Sequence, residues 1–140
     1  MGYDPNNIFA KILRGEIPCH KLYEDEKTFA FMDVMPQADG HCLVIPKTGS
    51  RNLLTADPAD LAALMVTVQK LANAVRKAFG AEGVLIQQFN EAAAGQTVFH
   101  THFHVLPRPE GVALRPHSGK MADPELLKAQ AEKIRAALAG

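Results

Sequence analysis

The sequence predicts an α+β fold: an antiparallel sheet of about five strands with one long helix, a short N-terminal helix and an extra C-terminal helix. Three observations lead there. Short runs rich in β-branched and aromatic residues follow one another across tight polar turns, as hairpin strands do. One long stretch repeats apolar residues at helical spacing. A second, shorter helical stripe closes the chain. The 140 residues, 47% of them hydrophobic, suit a single domain with a core of its own. That domain is expected over 1–140, with its core at about 6–109 and a connector plus helix at 110–140.

Each element has a local reason. Asn6 or Asn7 caps a short helix through Leu13, with Phe9, Ile12 and Leu13 inward, and Gly15 stops it. Lys21–Glu24 and Thr28–Met32 read as strands around the turn Asp25-Glu26-Lys27. After the loop 36–40, His41–Ile45 is a third strand ended by Pro46. Asp57 then caps the long helix and Pro58 occupies its first turn. Leu61, Leu64, Met65, Val68, Leu71, Ala72, Val75 and Phe79 form its apolar stripe, and Gly80 closes it. Val84–Phe89 is a fourth strand, and Gln96–Leu106 holds a fifth. Residues 111–121 form an irregular connector. Asp123 and Pro124 start the last helix, with Leu127, Ala131, Ile134 and Leu138 on one side. That stripe needs a surface, in this subunit or in a partner.

Composition excludes several classes. Lys+Arg and Asp+Glu number 15 each, so no net charge favours nucleic acid or a membrane surface. No apolar run is long enough to span a bilayer, and the N-terminus lacks the apolar core of a signal peptide. Asn6 stands where a myristoylation signal from Gly2 needs Ser or Thr. The expected location is the cytoplasm. Cys19 and Cys42 lie far apart without metal-ligand spacing, as free thiols in a reducing compartment do.

The chemistry concentrates in Phe99-His100-Thr101-His102-Phe103-His104-Val105-Leu106-Pro107. On a strand, His100, His102 and His104 would share one face, about 6–7 Å apart. Three imidazoles on one face admit three readings. They can be plain filling of a half-exposed face. They can bind zinc, copper or iron, with Glu91 or Asp33 as further ligands. Or one can attack phosphorus while its neighbours organise charge. The last reading needs donors for an anion nearby. Asn90, Gln96, Thr97 and the small residues Ala92-Ala93-Ala94-Gly95, a candidate loop of backbone N–H groups, supply them.

His100-Thr101-His102-Phe103-His104-Val105-Leu106 resembles the His-φ-His-φ-His-φ-φ signature (φ, apolar) of the histidine triad (HIT) nucleotide-binding proteins. Thr101 departs mildly from φ. The likeness extends, in order and spacing, to Asn7-Ile8-Phe9-Ala10-Lys11-Ile12, Tyr23-Glu24-Asp25-Glu26, Phe31-Met32-Asp33, Gly40-His41-Cys42-Leu43-Val44-Ile45-Pro46-Lys47 and Gly95-Gln96-Thr97-Val98-Phe99. It covers residues 6–109 and is closest to the Hint-like and bacterial HIT-hydrolase branch.

The resemblance implies a HIT-like fold and a nucleotidyl hydrolase. His102 would be the nucleophile at the α-phosphorus, forming a nucleotidyl-histidine that water opens to a nucleoside monophosphate. His104 and His100 would contact phosphate from either side, with Gln96, Thr97 and Asn90 as further phosphate and leaving-group contacts. Thr97 stands where many members have Ser. Asp33 would take the ribose hydroxyls, and Ile8, Phe9, Ile12, Phe31 and Val34 the base of a purine nucleotide or conjugate. Phosphoramidates, aminoacyl-adenylates and dinucleoside polyphosphates share this chemistry. A nucleotide sensor with little turnover is the rival reading. Some members hold a structural zinc where this chain has Asn7, Ala10 and Gly49, so neither metal nor other cofactor is expected. Glu91 replaces a small residue. His20, His41 and His117 match no motif and read as structural or surface residues. A homodimer, formed by extending the sheet across a two-fold axis, completes the expectation.

Overall fold

The computed structural model describes residues 2–116 and 120–140. His117 lies outside the described residues. A five-stranded antiparallel sheet runs in the order β1-β2-β3-β5-β4, from β1 (Lys21–Glu24), β2 (Thr28–Met32), β3 (Cys42–Pro46), β4 (Gly83–Gln87) and β5 (Phe103–Arg108). Three helices accompany it: α1 (Ile8–Leu13), α2 (Pro58–Ala78) and α3 (Pro124–Ala139). Among the described residues no helix is long and apolar enough to cross a membrane.

The caps follow the sequence. The Asn7 side chain accepts from the Ala10 N–H at 2.9 Å, so Asn7 rather than Asn6 starts α1. Asp57 and Asp123 likewise accept from the N–H two residues on, at 2.8 and 3.0 Å, each followed by a proline in the first turn.

Register divides the sheet into two faces. Phe31 pairs with Leu43, and Leu43 with His104, so these three share a face. The alternate residues Ala30, Met32, Cys42, Val44, Phe103 and Val105 turn the other way and pack in the core with Leu64, Leu71 and Val75 of α2. Every residue of β2 and β3 is buried, because both faces are covered. Leu127, Ala131 and Ile134 of α3 join that same core. The C-terminal stripe therefore finds its surface within its own chain.

Three strands differ in their bounds from the sequence reading. β3 is shifted by one residue: it starts at Cys42 instead of His41 and ends at Pro46, which still pairs with Thr28. β4 spans Gly83–Gln87 instead of Val84–Phe89, because Gln87 is the last residue paired, opposite His104. The largest shift concerns the histidines. β5 begins only at Phe103, opposite Val44, so His104 alone of the three lies in the strand. Upstream, the Thr101 N–H donates to the Ser50 carbonyl at 2.9 Å, and the Thr101 and Ser50 hydroxyls pair at 2.7 Å. Residues 100–102 are thus held by the loop after β3 and not by the sheet ladder.

Ile134 is fully buried. Ile134→Ala is expected to cost about 2–5 kcal/mol in equilibrium urea unfolding. A loss under about 0.5 kcal/mol would show that α3 does not belong to the cooperative core.

Candidate active site

On the face opposite α2, a cavity of about 330 Å³ opens over the sheet. α1 supplies Ile8, Phe9 and Ile12, the end of β2 supplies Phe31, Asp33 and Val34, and the segment before β5 supplies Thr97 and His102. His104 completes the floor from β5. These nine residues were all expected at the site. The sequence reading missed Ile17, Pro18, Cys19, Met32, Met35, Leu43, Val98 and Met121, which also line it. Only Leu43 carried a signal, as the alternate residue of a strand opposite the histidines.

Hydrogen bonds fix the tautomer of each ring. His102 is 6% exposed, and its Nδ1 lies 2.6 Å from the His100 carbonyl. A carbonyl only accepts, so Nδ1 carries the proton and the lone pair sits on Nε2. Burial pushes the His102 pKa down, against the opposing pull of that hydrogen bond and of the Asp33 charge. The ring is therefore neutral near pH 7, with an unprotonated nitrogen. Phe9 packs edge-on against it, with ring centroids 5.0 Å apart.

His41 sets the neighbouring ring. Its Nδ1 accepts the Gln37 N–H at 3.0 Å, so its proton is on Nε2. That nitrogen lies 2.9 Å from His104 Nδ1 and 3.4 Å from an Asp33 oxygen. His104 Nδ1 must then accept, which leaves the His104 proton on Nε2. The ring with its lone pair on Nε2 and the ring with its N–H on Nε2 are thus neighbours, with centroids 5.1 Å apart. His41, read in the sequence as structural or surface, is fully buried and orders the site. Its signal was there: His41, Leu43 and Ile45 alternate on the same face as His104.

His100 does not line the cavity. It is fully buried, its Nε2 donates to the Pro46 carbonyl at 2.9 Å, and its Nδ1 pairs with the Tyr3 hydroxyl at 2.7 Å. Burial pushes its pKa down to about 4. With both nitrogens committed, it cannot contact phosphate; it serves His102 through its carbonyl.

Gln96 is engaged in the same way. Its oxygen accepts from Asn52 Nδ2 at 3.0 Å and the Glu91 N–H at 2.8 Å. Its nitrogen donates to the Arg51 and Val98 carbonyls at 2.8 and 3.0 Å. That is the whole capacity of an amide, so Gln96 ties the loop together and has nothing left for a ligand. Asn90 also stands off the cavity lining; its amide pairs with that of Gln88 and accepts from the Leu53 N–H. Glu91 has a purpose the sequence did not reveal. It takes a bidentate ion pair from Arg51 at 2.8 Å and holds the loop despite a φ of +74°.

Metal binding meets an obstacle. Asp33, His41 and His104 bring one ligand atom each within 4.8 Å of one another. Yet His41 Nε2 keeps its proton while Gln37 bonds Nδ1, so it offers no lone pair there. Glu91 is engaged by Arg51 and Asn52. The three positions associated with zinc have other duties: Asn7 caps α1, Ala10 is buried in that helix, and Gly49 lies against the Tyr3 ring.

A family model described as "HIT domain" matches residues 14–111. The chain belongs to the HIT family. It is similar to the adenylylsulfatase HINT3 of Arabidopsis thaliana, 42% identical over 120 residues, which are 81% of this chain and 61% of that protein. The chain thus spans under two thirds of that relative. It is 38% identical to the adenosine 5′-monophosphoramidase hnt1 of Schizosaccharomyces pombe, over 91% of this chain and 94% of the relative. Among solved structures it resembles a Hit-like protein involved in cell-cycle regulation from Bartonella henselae. Identity there is 56% and the TM-score 0.91, over 97% of this chain and 99% of that one. The α+β architecture is thus the HIT fold.

The buried His100 makes stability pH-dependent. Its value of about 4 in the fold lies below the usual 6.5, so the unfolded chain binds more protons between the two. Stability should fall as pH drops from about 6.5 toward 4, by up to about 1.4 kcal/mol per pH unit from this ring. Urea midpoints across that range check this; in His100→Gln the slope should flatten, and an unchanged slope would remove His100 as its cause.

Proposed function

We propose that this chain hydrolyses nucleoside 5′-phosphate conjugates at the α-phosphorus through a nucleotidyl-histidine on His102. The observation that carries the reading is the unprotonated Nε2 of His102, on a ring next to that of His104, in an apolar cavity. Two relatives named for adenylyl substrates support it.

The steps balance. His102 Nε2 attacks phosphorus, an N–P bond forms, and the bond to the leaving group breaks with its electron pair. The leaving group takes a proton from solvent. Nδ1 keeps its proton against the His100 carbonyl, so the nucleotidylated ring is cationic and offsets phosphoryl charge. Water then attacks, the N–P bond breaks, and a nucleoside monophosphate leaves as one proton returns to solvent. His104 Nε2–H faces the phosphoryl oxygens. Asp33 accepts the ribose hydroxyls, and Ile8, Phe9, Ile12, Phe31 and Val34 enclose a purine loosely.

The test is turnover of adenosine 5′-phosphoramidate, followed as released AMP. Wild type should release it, and His102→Ala should lose at least about a thousandfold in kcat while AMP binding survives. A wild type that binds AMP without turnover would make the chain a nucleotide sensor.

We also propose a homodimer joined at β4. That strand has one sheet neighbour, and Ile86 on it is 41% exposed. Met65 and Val66 of α2 are also exposed apolar residues. Sedimentation at micromolar concentration should give a dimer; a monomer there sinks the proposal.

A further inference from the structure

Tyr3 lies 97 residues from His100 in sequence, yet its hydroxyl reaches His100 Nδ1 at 2.7 Å. The approach depends on a glycine. A Cβ on Gly49 would stand 2.4 Å from the Tyr3 ring, a distance no side chain tolerates. The ring sits edge-on to His100 with centroids 5.6 Å apart. The segment is held a second time, where Arg51 Nη1 donates to the Gly2 carbonyl at 3.3 Å.

The bonds continue inward. The Pro46 carbonyl fixes the His100 proton on Nε2, so Nδ1 can only accept, and the Tyr3 hydroxyl donates to it. The same residue's carbonyl holds the His102 proton on Nδ1. The structure assigns Tyr3 as a positioning residue: seated by Gly49, it clamps the outer nitrogen of His100 and so steadies the carbonyl that aims the His102 lone pair. This rests on the reading of His102 as nucleophile. Without the hydroxyl, His100 keeps a buried acceptor with no donor, a state relieved by moving the ring and the backbone that carries it.

The test compares Tyr3→Phe, Tyr3→Ala and Gly49→Ala with wild type. Tyr3→Phe keeps the ring and loses only the hydroxyl. Two readouts are taken: AMP release from adenosine 5′-phosphoramidate, and long-range ¹H–¹⁵N spectra of the imidazole nitrogens recorded without substrate. Tyr3→Phe should lower kcat about tenfold with KM within about twofold, the scale of one buried unmet acceptor. Its His100 Nδ1 signal should move toward the unbonded position, and that ring should protonate at higher pH than in wild type. Gly49→Ala, which displaces the ring, should reproduce these effects, and combining it with Tyr3→Phe should add little. Tyr3→Ala should lower kcat at least as far.

A Tyr3→Phe variant with wild-type kcat and an unmoved Nδ1 signal would overturn the assignment. So would a loss confined to thermal stability, which marks a purely structural tyrosine. Absence of turnover in wild type overturns the hydrolase reading itself. It is told apart because the ring signals need no substrate, and their failure to move would overturn the Tyr3 contact separately.

Discussion

One hydrogen bond governs the chemistry of this fold: His102 Nδ1 to the carbonyl of His100, at 2.6 Å. A ring free to choose its tautomer would spend part of its time with the proton on Nε2, the nitrogen that attacks in the proposed mechanism. A backbone carbonyl removes that choice, because it has nothing to donate. Much of the surrounding structure keeps that carbonyl in place. Thr101 anchors the backbone to Ser50, and the His100 ring is bonded at both nitrogens. Gln96 draws the preceding loop together from four sides. None of these three side chains lines the cavity, and all of them bear on a group that does.

The two faces of the sheet divide the labour. The face under α2 is apolar but for the buried hydroxyl pair of Thr28 and Thr67 and, with α3, forms the main core. The other carries a smaller cluster of Phe9, Phe29, Phe31, Leu43 and Ile45, only partly roofed by α1. This under-roofed face is where a cavity can exist and where buried imidazoles lose their hydration. Burial is then what holds His102 and His100 neutral. A hydrophobic wall such as Phe9 therefore acts on reactivity as well as on fit.

Local signals made the helices legible: Asn7, Asp57 and Asp123 cap as their residue types dictate, and the stripe of α2 needs only its 3.6-residue period. The cavity residues Asp33, Thr97 and Ile8 were legible through family resemblance and not through periodicity. What the sequence hid is of one kind. Alternation suggested a single strand for His100, His102 and His104, but period two describes any extended backbone, and the ladder ends at Phe103. Gln96 and Asn90 carry the chemistry of phosphate contacts, yet a residue type does not say whether its bonds are already taken. Tyr3 was invisible for the converse reason, since its partner lies 97 residues away, and the alternation of His41 with Leu43 and Ile45 gave its face but not its partner, 63 residues on.

The charge of the site bears on which state it favours. Among the described residues lining the cavity there is no Lys or Arg, while Asp33 is present. A fixed cation that held the phosphate equally in the ground state and in the transition state would leave the barrier where it was. In the proposed mechanism the positive charge arises only as the N–P bond forms and His102 becomes cationic. Asp33 already favours the charged form of that ring, against burial. On the proposed mechanism the same carboxylate thus serves twice: it takes the ribose hydroxyls, and it stabilises the imidazolium at the moment it appears. A neutral resting nucleophile in an apolar cavity, with its counter-charge placed in advance, puts the electrostatic gain in the transition state and not in substrate binding.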